Sequence, residues 1–293
     1  MPENIEHPIV SIIVITYNSS KYVLETLESA KAQAYQNIEL IVSDDCSTDN
    51  TVEICRNWIK KNENRFIKTE LITNKQNTGI TPNCNRGLFV ASGQWVKFIA
   101  GDDVLLENCI SSNIQFVTNN TSISFLFSKM KYIDETSKLV VKVEDDNSEL
   151  YEFSAKKQFK KLIIRNWLNA PSAFLKKETL IGLKGFDEST KFIEDYPLWL
   201  KATKNNFKLF FLSAPTVSYR LHSEAFSQIA LSEKIKKELL IVFLKYKFPN
   251  ISISNFIYLL YEYLTLIEGK IKLTKHLKKI SRLLRLRKAY RFK

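Results

Sequence analysis

GQWVKFIAGDD, residues 93–103, decides how the chain is read: a run from Trp95 to Ala100 that stops at Gly101 and presents two adjacent carboxylates, Asp102 and Asp103. A short β-rich run bounded by turn residues describes a buried strand. Working back towards the N-terminus, the same unit recurs. Ile9 to Ile15 is a β-branched run ending in Thr16, Tyr17 and Asn18, and Ile38 to Val42 is another, followed closely by Asp44 and Asp45. Between them Val23, Leu24, Leu27 and Ala30 recur at helical spacing from Ser20 to Ala34. Val52, Ile54, Cys55, Trp58 and Ile59 do the same from Thr51 to Lys61, with Thr48 or Asp49 as cap. Phe66 to Thr73 supplies a further strand and Pro82 to Ala91 a further helix. Strand alternating with helix is the pattern of an α/β fold, a mostly parallel sheet flanked by helices. Such sheets bind ligands at the carboxyl ends of their strands. Thr16 to Asn18, Asp44-Asp45 and Asp102-Asp103 all fall at such ends, which a core-packing role does not require.

Beyond residue 103 the pattern loosens. Leu106 to Val117 reads as a helix, Ile123 to Lys129 as a strand and Leu139 to Glu144 as an edge strand, followed by an acidic surface loop to Glu152. Asn169 to Phe174 reads as a loop entering a strand. Phe192 to Thr203 reads as an acidic turn opening a helix, with Pro197 in its first turn. Phe207 to Leu212 and Val217 to Leu221 read as two short strands around Pro215, and only helices are expected from Ser232 onward.

Composition excludes several classes. Net charge is +12, yet eleven of the 43 Lys and Arg lie between Lys270 and Lys293, where no Asp or Glu occurs. The body is therefore close to charge balance, which argues against a nucleic-acid groove and for an appended surface-binding element. Cys46, Cys55, Cys84 and Cys109 show neither CxxC pairing nor finger spacing. The N-terminal residues have no signal-peptide pattern, so a reducing cytoplasm is expected. The longest apolar stretch, Phe256 to Ile267, is interrupted by Glu262 and is shorter than the ~20 residues a membrane span needs. In the tail, Leu273, Leu277, Ile280 and Leu284 form one apolar stripe amid Lys and Arg. This describes a helix lying on an anionic membrane or packing on a protein surface.

Taken alone, Asp102-Asp103 reads equally as a solvated turn, a polymerase-type Gly-Asp-Asp or a metal–diphosphate site, since hard divalent cations favour carboxylates together with phosphate oxygens. The ordered set ITYN (15–18), SDDCSTDNT (43–51), NTGITPNCNRG (77–87), GQWVKFIAGDD (93–103) and IEDYPLWLKA (193–202) resembles the inverting GT-A glycosyltransferases of family two, over roughly residues 8 to 223. The resemblance implies a GT-A nucleotide-diphospho-sugar transferase domain over 1–225. Its donor half would be about 1–105 and its acceptor half about 106–225, with a helical basic extension over 226–293. It implies that Thr16, Tyr17, Asn18, Asp44 and Asp45 hold base and ribose, and that Asn85 and Arg86 steady the diphosphate or donor sugar. Asp102 would contact donor ribose or sugar. Asp103 would bind Mn²⁺ or Mg²⁺, with His222 completing the metal shell and Arg220 beside it on phosphate. Gly101 departs from the family by standing where a third acid often occurs. Asp195, with Glu194 as neighbour or substitute, would be the general base, the proton acceptor that an inverting transfer needs. Helix-dipole stabilisation is the competing explanation of that acidic pair. Asn169 to Ser172 would line the acceptor side.

The function so implied is metal-dependent transfer of a sugar from a nucleotide diphosphate donor, a UDP-sugar favoured. The acceptor would be a growing cell-surface glycan or lipid-linked acceptor, and the enzyme would sit peripherally on the inner face of the membrane. A catalytically inactive scaffold of the same fold is the rival from another class, and a nucleotidyltransferase or polymerase is a third reading. No nucleic-acid partner is expected.

Overall fold

The computed structural model describes residues 7–143, 148–223, 233–252 and 255–267. The stripe from Leu273 to Leu284 and the basic run from Lys270 lie outside the described residues. Strands β1 (Val10–Thr16), β2 (Ile38–Asp44), β3 (Lys68–Thr73) and β4 (Trp95–Ala100) alternate with helices α1 (Val23–Lys31), α2 (Thr51–Asn62) and α3 (Ile80–Val90). They pair in the order β3-β2-β1-β4, all parallel. Register aligns their carboxyl ends: Thr16 lies opposite Asp44, and Ile15 opposite both Ser43 and Ala100. The three polar clusters are thereby brought to one edge.

The pleat distributes the apolar run between two cores. Ile13 and Ile41 pack with Cys84 and Leu88 of α3 on one face. Ile12, Val14, Leu40 and Val42 pack with Val23 and Leu27 of α1 and Cys55 of α2 on the other. Both faces are covered, so the strands read as continuous apolar runs although their side chains alternate in direction. Gly87 is required by this packing, because a Cβ there would stand 2.4 Å from Ile13 Cγ2. The cap position of α2 is Asn50 rather than Thr48 or Asp49, although Asp49 Oδ1 accepts from Thr51 N at 3.0 Å.

The second half turns the sheet mixed. Strands β5 (Val104–Leu105), β6 (Phe125–Ile133), β7 (Val140–Val143), β8 (Phe174–Lys176) and β9 (Leu209–Arg220) continue the order as β4-β8-β6-β9-β5, with β7 on β6. β8 runs antiparallel to both β4 and β6, and β6 runs parallel to β9. The two strands expected around Pro215 are one strand. Pro215 sits opposite Lys129, where the register shifts, so the missing N–H is absorbed at a bulge. Val104-Leu105, unread in the sequence, pairs with Ser218 and Val217 and pins the residue after Asp103 against β9.

Helix α4 (Cys109–Thr118) covers one face, while α5 (Ala155–Ile164), α6 (Lys177–Gly182) and α7 (Asp195–Lys204) complete the other side. Beyond residue 232 come α8 (Glu233–Val242), a π-helical continuation over Phe243–Lys247, and α9 (Phe256–Ile267). Val242, Phe243 and Leu259 join the same core as Ile13, Leu198 and Trp199. Among the described residues no helix is long and apolar enough to cross a membrane.

Candidate active site

At the end of β1, Thr16 is buried and its Oγ1 donates to Asp44 Oδ2 at 2.8 Å. Asp44 also receives Ser47 N on Oδ1 at 2.8 Å and the Ser47 hydroxyl on Oδ2. Asn18 adopts the left-handed region, φ 50°, and its Oδ1 accepts from Thr48 N at 2.8 Å. Thr16, Asn18 and Asp44 thus tie the β1 and β2 turns into one shelf. Tyr17 projects from it, half-exposed, leaving an aromatic face open to a planar ligand.

Asp45 points to the other side of the sheet, towards α3. Its Oδ2 accepts from Thr78 N at 2.8 Å and Gly79 N at 2.7 Å, and its Oδ1 from Thr78 Oγ1 at 2.8 Å and Arg86 at 2.5 Å. Those four bonds fill the acceptor sites of a carboxylate. Burial works to raise its proton affinity, and the bonds from Thr78, Gly79 and Arg86 outweigh it, holding the carboxyl below the usual range. In this conformation Asp45 organises the loop that opens α3, and a nucleobase would have to displace one of these donors. Asn83 completes the joint: Oδ1 accepts from Ser43 Oγ at 2.6 Å and Arg86 at 3.1 Å, and Nδ2 donates to Ser43 O at 2.9 Å.

Asp103 is buried at the turn between β4 and β5. Its Oδ1 accepts from Arg220 N at 2.9 Å, and its backbone O accepts from Thr26 Oγ1 at 2.7 Å. Among the described residues its Oδ2 is buried with no hydrogen-bond partner. Burial, with the Asp102 charge beside it, pushes this carboxyl well above the usual range. A buried carboxylate oxygen left unpartnered is costly unless a cation or proton meets it. Asp102 is part-exposed, and its Oδ2 lies 3.0 Å from His222 Nε2. His222 in turn packs on Tyr22, ring centroids 5.0 Å apart.

Arg220 is bonded chiefly within the protein. Its side chain is buried, with Nε on Asp102 O at 2.7 Å, one terminal nitrogen on Glu25 at 2.6 Å and the other on Glu135 O at 3.1 Å and the Ser137 hydroxyl. The guanidinium also lies over the Tyr22 ring at 4.7 Å. Four of its N–H groups hold the Asp102 backbone, α1 and the 134–137 turn together, a structural role that the expectation of a phosphate contact did not include. Gly101 is explained by the same crowding. A Cβ there would stand 2.9 Å from Thr16 Cγ2 and 3.0 Å from Ser19 Cβ, so the third acid has no room.

Glu194 and Asp195 stand at the start of α7, both partly exposed. Asp195 is oriented on both oxygens: Oδ1 accepts from Tyr196 N at 2.6 Å, and Oδ2 from Asn166 at 3.1 Å and Trp199 Nε1 at 3.3 Å. Burial raises the Asp195 carboxyl, against the bonds from Asn166, Tyr196 and Trp199. Burial, then the Asp195 charge, pushes Glu194 up to about 8, against a bond from its own backbone N–H. Asn85 spends its polar atoms on the segment leading to this pair, bonding Phe186 N at 2.9 Å, Phe186 O at 3.0 Å and Glu188 at 2.7 Å. It tethers α3 to that segment, whereas its neighbour Arg86 faces Asp45.

The structure therefore joins Thr16 with Asp44, Asp45 with Arg86, and Asp102 with His222, while Glu194-Asp195 connects to the donor side through α3. Among the described residues no group of three or more His, Cys, Asp and Glu is placed to hold a metal. Sequence reading missed Thr78, Asn83, Tyr22, Glu135 and Asn166, polar residues whose roles depend on partners distant in the chain. Buried Lys97 was missed too. It lies within β4, and its Nζ donates to Pro171 O and to Ala173 O at 3.2 Å. That fixes the Asn169–Ser172 segment against the strand that carries Asp102 and Asp103. Only its setting inside an apolar strand could have signalled it.

Residues 11–172 match glycosyl transferase family 2. The glucosyltransferase WfaP of Escherichia coli, which transfers from UDP-Glc to α-D-GlcNAc-diphosphoundecaprenol, is 30% identical over 230 residues, 78% of this chain and 84% of WfaP. The structure of S. aureus TarS 1–349 with UDP-GlcNAc aligns with TM-score 0.67 at 20% identity, covering 93% of this chain and 78% of that one. The mannosyltransferase PcManGT of Pyrobaculum calidifontis, bound to GDP-Man and Mn²⁺, aligns with TM-score 0.60 at 16% identity, covering 97% and 80%. The fold is the GT-A fold.

Proposed function

The chain belongs to glycosyl transferase family 2, and on that premise we propose that it transfers a sugar, with inversion, from a nucleoside diphosphate donor to a hydroxyl of a lipid-linked or growing surface glycan. A UDP-sugar is the favoured donor, as in the names of WfaP and of the TarS complex. The observation that carries the reading is Asp103: a buried carboxylate whose Oδ2 has no partner among the described residues, at the carboxyl edge of β4, beside the part-exposed Asp102. A divalent cation would satisfy that atom, with Asp102 next in the chain and His222 bonded to Asp102 as the further groups that would hold it. Mn²⁺ or Mg²⁺ bound there would neutralise the diphosphate leaving group. Tyr17 offers its exposed ring to the base, Thr16, Asn18 and Asp44 set the shelf, and Asp45 with Arg86 shapes the loop at the start of α3. Arg86 remains the donor-side cation for phosphate, and Asn85 contributes by holding α3 in place.

Asp195 takes the acceptor hydroxyl's proton as the new bond forms between the acceptor oxygen and the anomeric carbon. The bond to the phosphate oxygen breaks, and the nucleoside diphosphate leaves with its electron pair. Environments that push paired carboxyls apart assign their roles. Glu194, raised to about 8, holds its proton at neutral pH, and Asp195, oriented by Asn166 and Trp199, is the carboxylate we assign as the base.

We extend the proposal to the division into a transferase domain over 1–225 and a helical extension over 226–293. The tail from Lys270 would rest on the anionic inner face of the membrane, where lipid-linked acceptors are found. Deleting residues 270–293 should release the protein from anionic liposomes, and undiminished binding would refute that part.

Binding linkage tests the donor site. UDP with Mn²⁺ should raise the thermal midpoint, as ligand near 100 Kd adds about 2.7 kcal/mol of stability. No shift with UDP, GDP or dTDP at high concentration counts against the reading. Asp103→Asn should reduce the shift. A panel of nucleotide sugars screened for slow hydrolysis identifies the donor, and on it Asp195→Asn should lose roughly 10²- to 10⁴-fold in rate while still binding UDP.

A further inference from the structure

The segment from Gly185 to Glu194 carries no regular secondary structure, yet it delivers both proposed catalytic carboxylates. Its backbone groups must find partners elsewhere, and α8 supplies two of them. Glu238 Oε1 accepts from Lys191 N at 2.9 Å, and Oε2 accepts from Phe192 N at 2.8 Å. The glutamate is buried, so the two charge-assisted bonds act without competition from water. From the opposite side Thr81 N, in the first turn of α3, donates to Lys191 O at 3.0 Å. Two residues after the clamp, Glu194 occupies the cap position before α7.

The same helical arm grips the segment once more and α7 once. Lys245 and the Tyr246 hydroxyl bind Asp187. Lys247, paired with Glu262 at 2.6 Å, lies over the Tyr196 ring at 5.0 Å. Residues 187, 191–192 and 196 are thus fixed by one element, α8 with its π-helical continuation, a type of distortion frequent at functional sites. This arm lies beyond the residues that match the family, 11–172.

We propose that Glu238 is a positioning residue for sugar transfer: by receiving the amide protons of Lys191 and Phe192 it fixes the backbone from which Glu194 and Asp195 reach the acceptor. The proposal rests on the reading that this pair supplies the base. The groups that face Glu194 are Asp195 on its own helix, the Cys84 thiol on α3 and Glu238 on α8. Glu238 adds to the charge that keeps Glu194 protonated, so its removal acts on proton affinity as well as on position.

The test uses the full chain and the nucleotide sugar that wild type hydrolyses. Glu238→Gln keeps the shape and one acceptor oxygen, and Glu238→Ala removes both. In each, kcat should fall about ten- to hundred-fold, the scale of a misplaced catalytic group. The donor KM and the UDP-induced thermal shift should stay within about two-fold, because the donor shelf is built from other elements. Glu238→Gln should also lower the pH at which Glu194 gives up its proton, moving the alkaline limb of the rate profile to lower pH, which a loss of helix docking alone would not do. Unchanged kcat in both folded variants overturns the positioning role, as does a loss of donor affinity equal to the loss of kcat. Full turnover in both Glu194→Gln and Asp195→Asn overturns the base assignment instead, and the proposal with it.

Discussion

At Gly101 the backbone passes so close to Thr16 and Ser19 that any Cβ falls inside van der Waals contact. Gly101→Ala is therefore expected to destabilise the fold by about 1–3 kcal/mol, the usual cost of overpacking, read from urea unfolding midpoints. Mn²⁺-dependent UDP binding should weaken in parallel, since the displaced turn carries Asp102 and Asp103. A second expectation concerns Glu194, held near 8 against an ordinary 4.5. A raised carboxyl keeps a proton in the folded state that the unfolded chain releases, so it destabilises the fold as pH rises from about 4.5 to 8. Glu194→Gln should consequently gain stability at pH 9 and lose the gain by pH 4, and equal stability at both pH values would contradict the raised value. These positions also mark how far single residues could be read. The doublet Asp44-Asp45 was visible, but its division between two faces follows from the pleat: Asp44 continues the Leu40 and Val42 side, and Asp45 turns to α3. Asn85 and Arg86 likewise looked like one donor motif. The helix sends one to the Phe186–Glu188 segment and the other to Asp45.

At the scale of elements, periodicity was informative wherever both ends of an element carried punctuation. β1, β2 and β4 and the helices between them fall within a few residues of their expected places, because apolar runs and polar strand ends coincide. β9 was split at Pro215, since sequence alone cannot show that β6 provides the bulge that tolerates it. β5, two residues long, has no periodicity to detect and exists only by pairing with β9. Long-range ion pairs were invisible for the same reason, and Asp187 gives a measurable case. Burial would raise its carboxyl, but Lys245, Tyr246 and Ser189 pull it down to about 2. A depressed carboxyl stabilises above its unfolded pKa, near 3.9, and the contribution is lost as pH falls through about 2. Asp187→Asn should thus cost about 2 kcal/mol at pH 7 and almost nothing near pH 2, checked by chemical unfolding at both values. Such a result would tie the stability of the α8 arm to the segment it grips.

Taken as a whole molecule, the chain tests whether the helices after residue 232 are an appendage, as a boundary at 225 proposes, or part of the body. Their apolar residues argue for the second behaviour in stability even if the first holds in sequence. Val242 and Phe243 are almost wholly buried and Leu259 is fully so, in the core that also holds Ile13, Leu198 and Trp199. Truncating one such side chain to alanine costs about 2–5 kcal/mol, and a typical domain has only about 5–15 kcal/mol in total. Removing three together, with the Glu238 and Lys245 contacts, exceeds what the remaining sheet can absorb. A chain ending at residue 225 should therefore fail to unfold cooperatively in urea, or show a much reduced midpoint. A chain ending at residue 267 should retain the full transition while lacking the basic run. If the 1–225 chain unfolded with the same midpoint and slope as the full protein, the helices would be a separable extension, and the clamp on Lys191 and Phe192 would be dispensable to the fold. If it does not, the arm is structural to the transferase body.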